Sequence, residues 1–317
     1  MKVNLFKRLG FHGAVALIGC FPAGAVIVAG TSGTGNNNNS QAGLDSYLSG
    51  APSQAFPHWN NLVRVADASG IYLGFNASTQ RGWVLSANHV TTPTDISVAG
   101  GTYTVNGTGT QIGSSDLKLY EIGGGLSDPA LPSLAAVSLA SIAATPGESV
   151  LMFGRGFTNN VTAPYSWEVP GTNDANVMRW GTNTIELVTS VNIGTELVTN
   201  LQPYLITDFD ASGDPGATEF DAQASVGDSG GGMFVLRSGV WQVAGIAHFV
   251  DDGPDFNELV ETGDGVVDPS EIGDFSGYSD VASKFGQINA ITGTLIPEPS
   301  SILFALSSLV LLARRRR

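Results

Sequence analysis

Between Leu62 and Phe249 the chain is a succession of short β-type runs cut by glycine, asparagine and proline, and this punctuation constrains the fold more than any other feature. Leu62 to Ala66, Ile71 to Phe75, Trp83 to Ser86, Asp95 to Val98, Tyr103 to Val105 and Asp116 to Ile122 form one series. After a stretch rich in Pro, Ala and Ser, a second series runs through Val150 to Phe153, Val177 to Trp180, Ile185 to Val188, Tyr204 to Asp208, Gly232 to Leu236 and Trp241 to Phe249. The one convincing helix is Asp280 to Ile291, with Asp280 as its N-cap. Forty-one glycines and a charged fraction of 13% fit strands joined by tight turns better than helices with solvated faces. At this length the reading is one large all-β unit or two small barrels sharing a cleft.

The charge narrows the partners. Between Gly30 and Leu295 seven basic residues face 27 acidic ones, a net of −20, so nucleic acid is not expected. The single cysteine, Cys20, lies in the first apolar segment, which leaves the folded part without a disulfide and dependent on packing.

Both ends read as addresses. A basic Met1 to His12, an apolar Gly13 to Gly30 and small residues at Ala23, Ala25 and Ala29 predict a signal peptide over 1–29. Residues 30–55, rich in Gly, Ser and Asn, read as a flexible leader. At the other end Pro297-Glu298-Pro299 precedes an apolar stretch from Ser301 to Ala313 and four arginines. Residues 296–317 resemble the PEP-CTERM sorting signal of Gram-negative bacteria, which implies recognition by an exosortase. The stretch is shorter than the roughly 20 residues of a stable span, so it reads as a short transmembrane segment serving as a transient or processed anchor. The domain is then expected outside the inner membrane, in the cell envelope or extracellular matrix.

Chemistry concentrates at two motifs. Trp83-Val84-Leu85-Ser86-Ala87-Asn88-His89-Val90 places a histidine just past an apolar strand. Gly227-Asp228-Ser229-Gly230-Gly231-Gly232 sets a serine in a turn sharp enough for the amides of Gly227 and Ser229 to face one developing oxyanion. A serine nucleophile needs a base whose pKa is near 7, and histidine is the side chain that meets this. His12 lies in the signal and His58, after Pro57, is expected exposed, so only His248 competes with His89. Among the acids, Asp116 opens a strand, a setting that Asp67 and Asp95 lack.

The order His89, Asp116, Ser229, with the strands flanking them, resembles the trypsin-like serine proteases over roughly residues 56 to 292. Ser115-Asp116-Leu117 is similar to the segment around the family's aspartate, and Pro146 to Gly156 to the strand opening its second barrel. Trp241 to Phe249 resembles the strand walling its specificity pocket. Tyr278, Val281, Ser283 and Phe285 resemble its closing strand and helix. The resemblance implies an all-β, two-barrel chymotrypsin-like fold with a C-terminal helix over 56–295. Barrel one would span about 56–135, barrel two about 146–292, and the active site would lie between them. It implies an exported serine endopeptidase with His89, Asp116 and Ser229 as the triad, no required cofactor and a protein or peptide substrate. The alternative is a catalytically silent trypsin-like binding or matrix module.

Some positions depart from the family. Asn88 and Val90 stand for its usual alanine and cysteine. Ile27-Val28-Ala29-Gly30 resembles its mature N-terminus but lies inside the signal region, leaving the neutralisation of Asp228 unexplained. Pocket candidates are Gln223, His248 and Phe249; Gln223 stands where trypsins carry an aspartate, and Asp221 would serve only in a shifted register. In the acidic insertion Asp251 to Asp280, Asp264, Asp268 and Glu271 match the second half of an EF-hand loop, but Val260 and Thr262 fall at its first and third positions. A solvated acidic loop is favoured over calcium.

Overall fold

The computed structural model describes residues 26–28, 38–50, 54–76, 78–156, 177–194, 199–210, 216–225, 227–250, 275–293 and 295. Residues 251–274 of the acidic insertion, with Asp264, Asp268 and Glu271, and the segment 296–317 lie outside the described residues. Among the described residues no helix is long and apolar enough to cross a membrane.

Two elements precede residue 56: a strand inside residues 1–29, read from sequence as a signal peptide, and a helix inside residues 30–55, read as a flexible leader. Strand β1 (Ile27–Val28) pairs antiparallel with a strand two hundred residues later, and Val26 and Val28 are buried there. Helix α1 (Gln41–Leu48) follows, capped by Ser40, whose Oγ accepts from the amide of Gly43 at 3.1 Å. The i, i+4 pair Leu44 and Leu48 is fully buried, and Tyr47 stacks on Trp180 at 5.5 Å. A leader composition rich in small polar residues hid these few anchors.

Barrel one contains β2 (Leu62–Val65), β3 (Ala68–Asn76), β4 (Arg81–Ala87), β5 (Asp95–Val98), β6 (Gly101–Thr104), β7 (Thr110–Gln111) and β8 (Leu117–Ile122). Its main sheet has the order β2-β3-β4-β8-β7, and the β5–β6 hairpin joins it through a bridge between Val105 and Ile122. β3 and β4 are buried on both faces, which is why their sequences read as continuous apolar runs.

Barrel two contains β9 (Ser138–Leu139), β10 (Ser149–Gly154), β11 (Arg179–Thr184), β12 (Leu187–Asn192), β13 (Leu201–Asp208), β14 (Ala222–Gln223), β15 (Gly232–Arg237), β16 (Val240–Val250) and β17 (Phe275–Asp280). The order is β11-β10-β15-β16-β17-β13-β12, with β9 parallel to part of β16 and β1 against β14. Asp280 then caps a 3-10 turn at Ala282–Lys284, its carboxylate accepting from the amides of Ala282 and Ser283, and the chain enters α2 (Phe285–Thr292). Ile288 of α2 returns to the core of barrel one.

The architecture is all-β and two-barrel with a C-terminal helix, as expected. One hydrophobic cluster spans the two barrels, where Phe56 stacks on Phe153 at 4.6 Å and meets Phe234 and Trp241 edge-on, and a second lies within barrel two. His58, expected exposed, is 4% exposed and stacks on Phe234 in this cluster. Proline at 57 gave a surface reading; the ring instead completes the aromatic joint.

Candidate active site

Register places the first two residues. β4 and β8 pair with Ala87 opposite Leu117, so the residues just beyond that pair leave the sheet side by side. The amide of Asn88 donates to the Asp116 carbonyl (3.2 Å) and that of His89 to Asp116 Oδ1 (2.9 Å). The second carboxylate oxygen, Oδ2, accepts from His89 Nδ1 at 2.8 Å. With the proton on Nδ1, the lone pair of Nε2 faces Ser229 Oγ at 2.7 Å. The Asp116 side chain is 6% exposed and that of His89 41%, so the anion is sheltered while the imidazole stays reachable. Asp67, paired with Arg64, and Asp95, beside Thr94, are exposed and lie outside this chain of contacts.

Ser229 is held from both barrels. Its carbonyl accepts from Ser69 of β3 (2.8 Å), and the next amide, of Gly230, donates to Ala247 of β16 (2.9 Å). Gly230 has φ +83°, and a Cβ there would stand 2.1 Å from the Ser69 carbonyl oxygen and 2.2 Å from Ser86 Oγ. Only glycine passes between the barrels at this point. The amides of Asp228, Gly230 and Gly231 are all spent within the fold, whereas those of Gly227 and Ser229 have no acceptor among the described residues. These are the two amides expected to face an oxyanion.

No family model matches the sequence, and no curated protein does. Among solved structures the chain is similar to the active form of the Rv3671c protease from M. tuberculosis, at 12% identity and a TM-score of 0.44 over 89% of this chain and 96% of that one. It is similar also to neuropsin, a serine protease expressed in the limbic system of mouse brain, at 14% identity and a TM-score of 0.44 over 75% of this chain and 97% of that one.

Asp228 is fully buried, and loss of solvation pushes its carboxyl up to about 7 against the pull of its hydrogen bonds. It accepts from the amides of Gly156 (2.6 Å) and Ser225 (2.7 Å), from Ser225 Oγ (3.2 Å) and from the amide of Val26, with Arg179 as a nearby cation. Neither Val26 nor Arg179 was legible as its neighbour, because both contacts span long stretches of chain.

The pocket candidates separate. Gln223 is buried in β14 and pairs with Ile27. Asp221 is buried too, accepting from the amides of Asp210 (3.0 Å) and Thr218 (3.1 Å) in a loop it holds together. Phe249 packs on Tyr204 and over Gly277, where a Cβ would meet its ring at 2.1 Å. His248 sits against Asp116, with Nε2 at 3.6 Å from Oδ2, and stacks on His89 at 5.1 Å. Strand alternation alone would turn it the other way, but β16 carries a bulge at this residue, between Ala247 and Phe249. A separate recess under α1, lined by residues including Leu48, Val150, Leu236 and Trp241, holds none of these groups.

His89, Asp116 and His248 bring three metal-type ligand atoms within 4.8 Å of one another. Two of these atoms, His89 Nδ1 and Asp116 Oδ2, already share a proton contact, so a metal there would compete with the hydrogen bond that orients His89.

Proposed function

We propose that this chain is an exported serine endopeptidase. The observation that carries the reading is His89 bridging Asp116 and Ser229 at 2.8 and 2.7 Å, beside two amides that have no acceptor among the described residues.

In the proposed reaction Ser229 Oγ bonds to the scissile carbonyl carbon as its proton passes to His89 Nε2. The negative charge moves to the carbonyl oxygen, toward the amides of Gly227 and Ser229. The C–N bond then breaks, the amine leaves with the proton from His89, and an ester remains on Ser229. Water attacks that ester and gives its proton to His89, which returns it to Oγ as the C–O bond breaks. Asp116 holds the Nδ1–H tautomer and stabilises each imidazolium. With Gln223 buried and uncharged and Asp221 tied into its own loop, preference for Lys or Arg is not part of the proposal.

The ends follow the same reading. Ala23-Gly24-Ala25 is a small-x-small site, and the buried Val26 just after it favours cleavage before Val26 over cleavage after Ala29, which would remove β1. The α-ammonium so freed would lie at the carboxyl of Asp228. For the C-terminus we propose sorting at Pro297-Glu298-Pro299 by an exosortase, with removal of the arginine-tipped tail and release of the domain to the envelope or matrix.

The experiment is labelling of purified protein by a fluorophosphonate probe, followed by peptide mapping. A single adduct on Ser229 that is absent in folded Ser229→Ala protein is expected. An unlabelled wild type, or equal labelling of Ser229→Ala, would overturn the assignment.

A further inference from the structure

Beyond the triad, a second chain of polar groups ends on the same carboxylate. Ser279 Oγ, in β17, donates to Tyr204 Oη of β13 at 3.3 Å. Tyr204 in turn contacts His248 Nδ1 closely. With its own acceptor site filled by Ser279, the phenol gives its proton toward Nδ1, which leaves the imidazole proton on Nε2. The opposite face agrees. Nε2 looks at Asp116 Oδ2, where a lone pair would be repelled and an N–H attracted.

We infer that His248 is a positioning residue for Asp116, a neutral imidazole held by Tyr204 so that its Nε2–H points at the carboxylate oxygen that also receives His89. This rests on the reading of His89, Asp116 and Ser229 as a triad.

Several observations converge on it. β16 inserts one extra residue into its pairing with β17, and that residue is His248; the bulge turns the ring toward the site. Asp116 Oδ1 is held by the amide of His89, but among the described residues Oδ2 has only His89 Nδ1 within hydrogen-bond distance. A carboxylate fixed at one oxygen can still swing the other, and His248 Nε2 closes that side. At 3.6 Å the contact is longer than a hydrogen bond, and contacts of this kind at unliganded catalytic centres tighten when the substrate complex forms. Neutrality matters equally. Burial pushes His248 down to about 4, outweighing the pull of Asp116 toward the charged form. Asp116, His89 and Tyr204 are the titratable groups packed against it. A charged His248, stacked 5.1 Å from His89, would oppose the imidazolium each turnover requires.

The test compares the rate of fluorophosphonate labelling across pH for wild type, His248→Leu, His248→Gln and Tyr204→Phe. His248→Leu should label about tenfold more slowly, the lower end of what a lost contact to a charged group costs. Its acid limb should move to higher pH, because an Asp116 relieved of one donor favours the imidazolium more strongly. His248→Gln, which keeps an N–H at the position of Nε2, should recover most of the rate and restore the limb. Tyr204→Phe, which frees the tautomer, should fall between wild type and His248→Leu. Folded His248→Leu with the wild-type rate and acid limb would overturn the inference, as would equal losses in Leu and Gln with no shift of the limb. If His248→Leu does not fold, the two near-isosteric variants decide: a wild-type profile in Tyr204→Phe overturns the inference. A wild type that does not label overturns the triad itself, a different outcome from a labelled wild type whose variants are indifferent.

Discussion

The two barrels supply the site by different means. Barrel one delivers His89 and Asp116 from the ends of adjacent strands, and the pairing of Ala87 with Leu117 already brings them together. Barrel two delivers Ser229 from a glycine turn and His248 from a bulge, positions that no strand register fixes. A side chain at a strand end is placed by hydrogen bonds the sheet must make anyway. One in a turn or bulge is placed by local close contacts, so barrel two should be less tolerant of small changes to backbone shape.

The largest expected effects test the barrel-one half. His89→Ala should lower turnover or labelling by about 10⁴ to 10⁶, the range for losing one member of a cooperating triad. Asp116→Asn should cost about 10⁴ through the wrong tautomer of His89. Far-UV circular dichroism should be unchanged in both, since β4 and β8 keep their pairing. A loss of native signal alongside activity would mean that the triad also holds the sheet.

On the barrel-two side, Gly230→Ala forces a Cβ to within 2.1 Å of the Ser69 carbonyl oxygen, at φ +83°. Strain and overpacking together should destabilise by about 2 to 4 kcal/mol in urea unfolding. Labelling of Ser229 should fall with it, because the Ser69–Ser229 bond joins the two barrels at the nucleophile. Wild-type stability here would remove the contrast between the halves.

The same division governs what the sequence made legible. Strand runs such as Asp95 to Val98 coincide with β5, and Trp83 to Ser86 lies within β4, because alternating or continuous burial writes itself into neighbouring residues. The juxtaposed residues His89, Asp116 and Ser229 were legible for the same reason: His89 follows an apolar run, Asp116 opens one, and glycines crowd Ser229. Hidden were the features made of distant partners. β1 is two residues long and acquires meaning only beside β14. His58 looked like a surface residue after proline until Phe56 and Phe234 enclosed it. His248 points at Asp116 through a bulge, which sequence alternation cannot register.

Blocked maturation sharpens the comparison at an intermediate size. Replacing Ala23 and Ala25 together by leucine should prevent cleavage before Val26 and leave Asp228 without an adjoining ammonium. Uncompensated buried charge is costly, so labelling should drop by about tenfold or more while β4 and β8 stay intact. Intact mass of exported wild type should begin at Val26. A mature chain beginning after Ala29, or an uncleaved variant that labels at the wild-type rate, would detach β1 from the function of Asp228.

The smallest expected effect lies at the far edge of barrel two, in Asp208 at the end of β13. Burial first, then Asp210 and Glu186, push its carboxyl from 3.8 up to about 7, and Oδ1 has no hydrogen-bond partner among the described residues. The folded protein therefore takes up this proton near pH 7, whereas the unfolded chain does so only near pH 4. Stability from this group is full below pH about 4 and is lost as pH rises through 7. Asp221, also raised to about 7, acts in the same direction. His248 acts oppositely: lowered from 6.5 to about 4, it costs stability as pH falls through that interval. Between pH 5 and pH 8 these two aspartates, together with Asp228, outweigh one histidine, so the melting temperature should be higher at pH 5. Asp208→Asn keeps the shape and removes the charge, and should raise the melting temperature at pH 8 by about 2 to 6 °C and by distinctly less at pH 5. Thermal melts at the two pH values read this directly. An equal shift at both would mean that Asp208 acts through packing rather than through its proton.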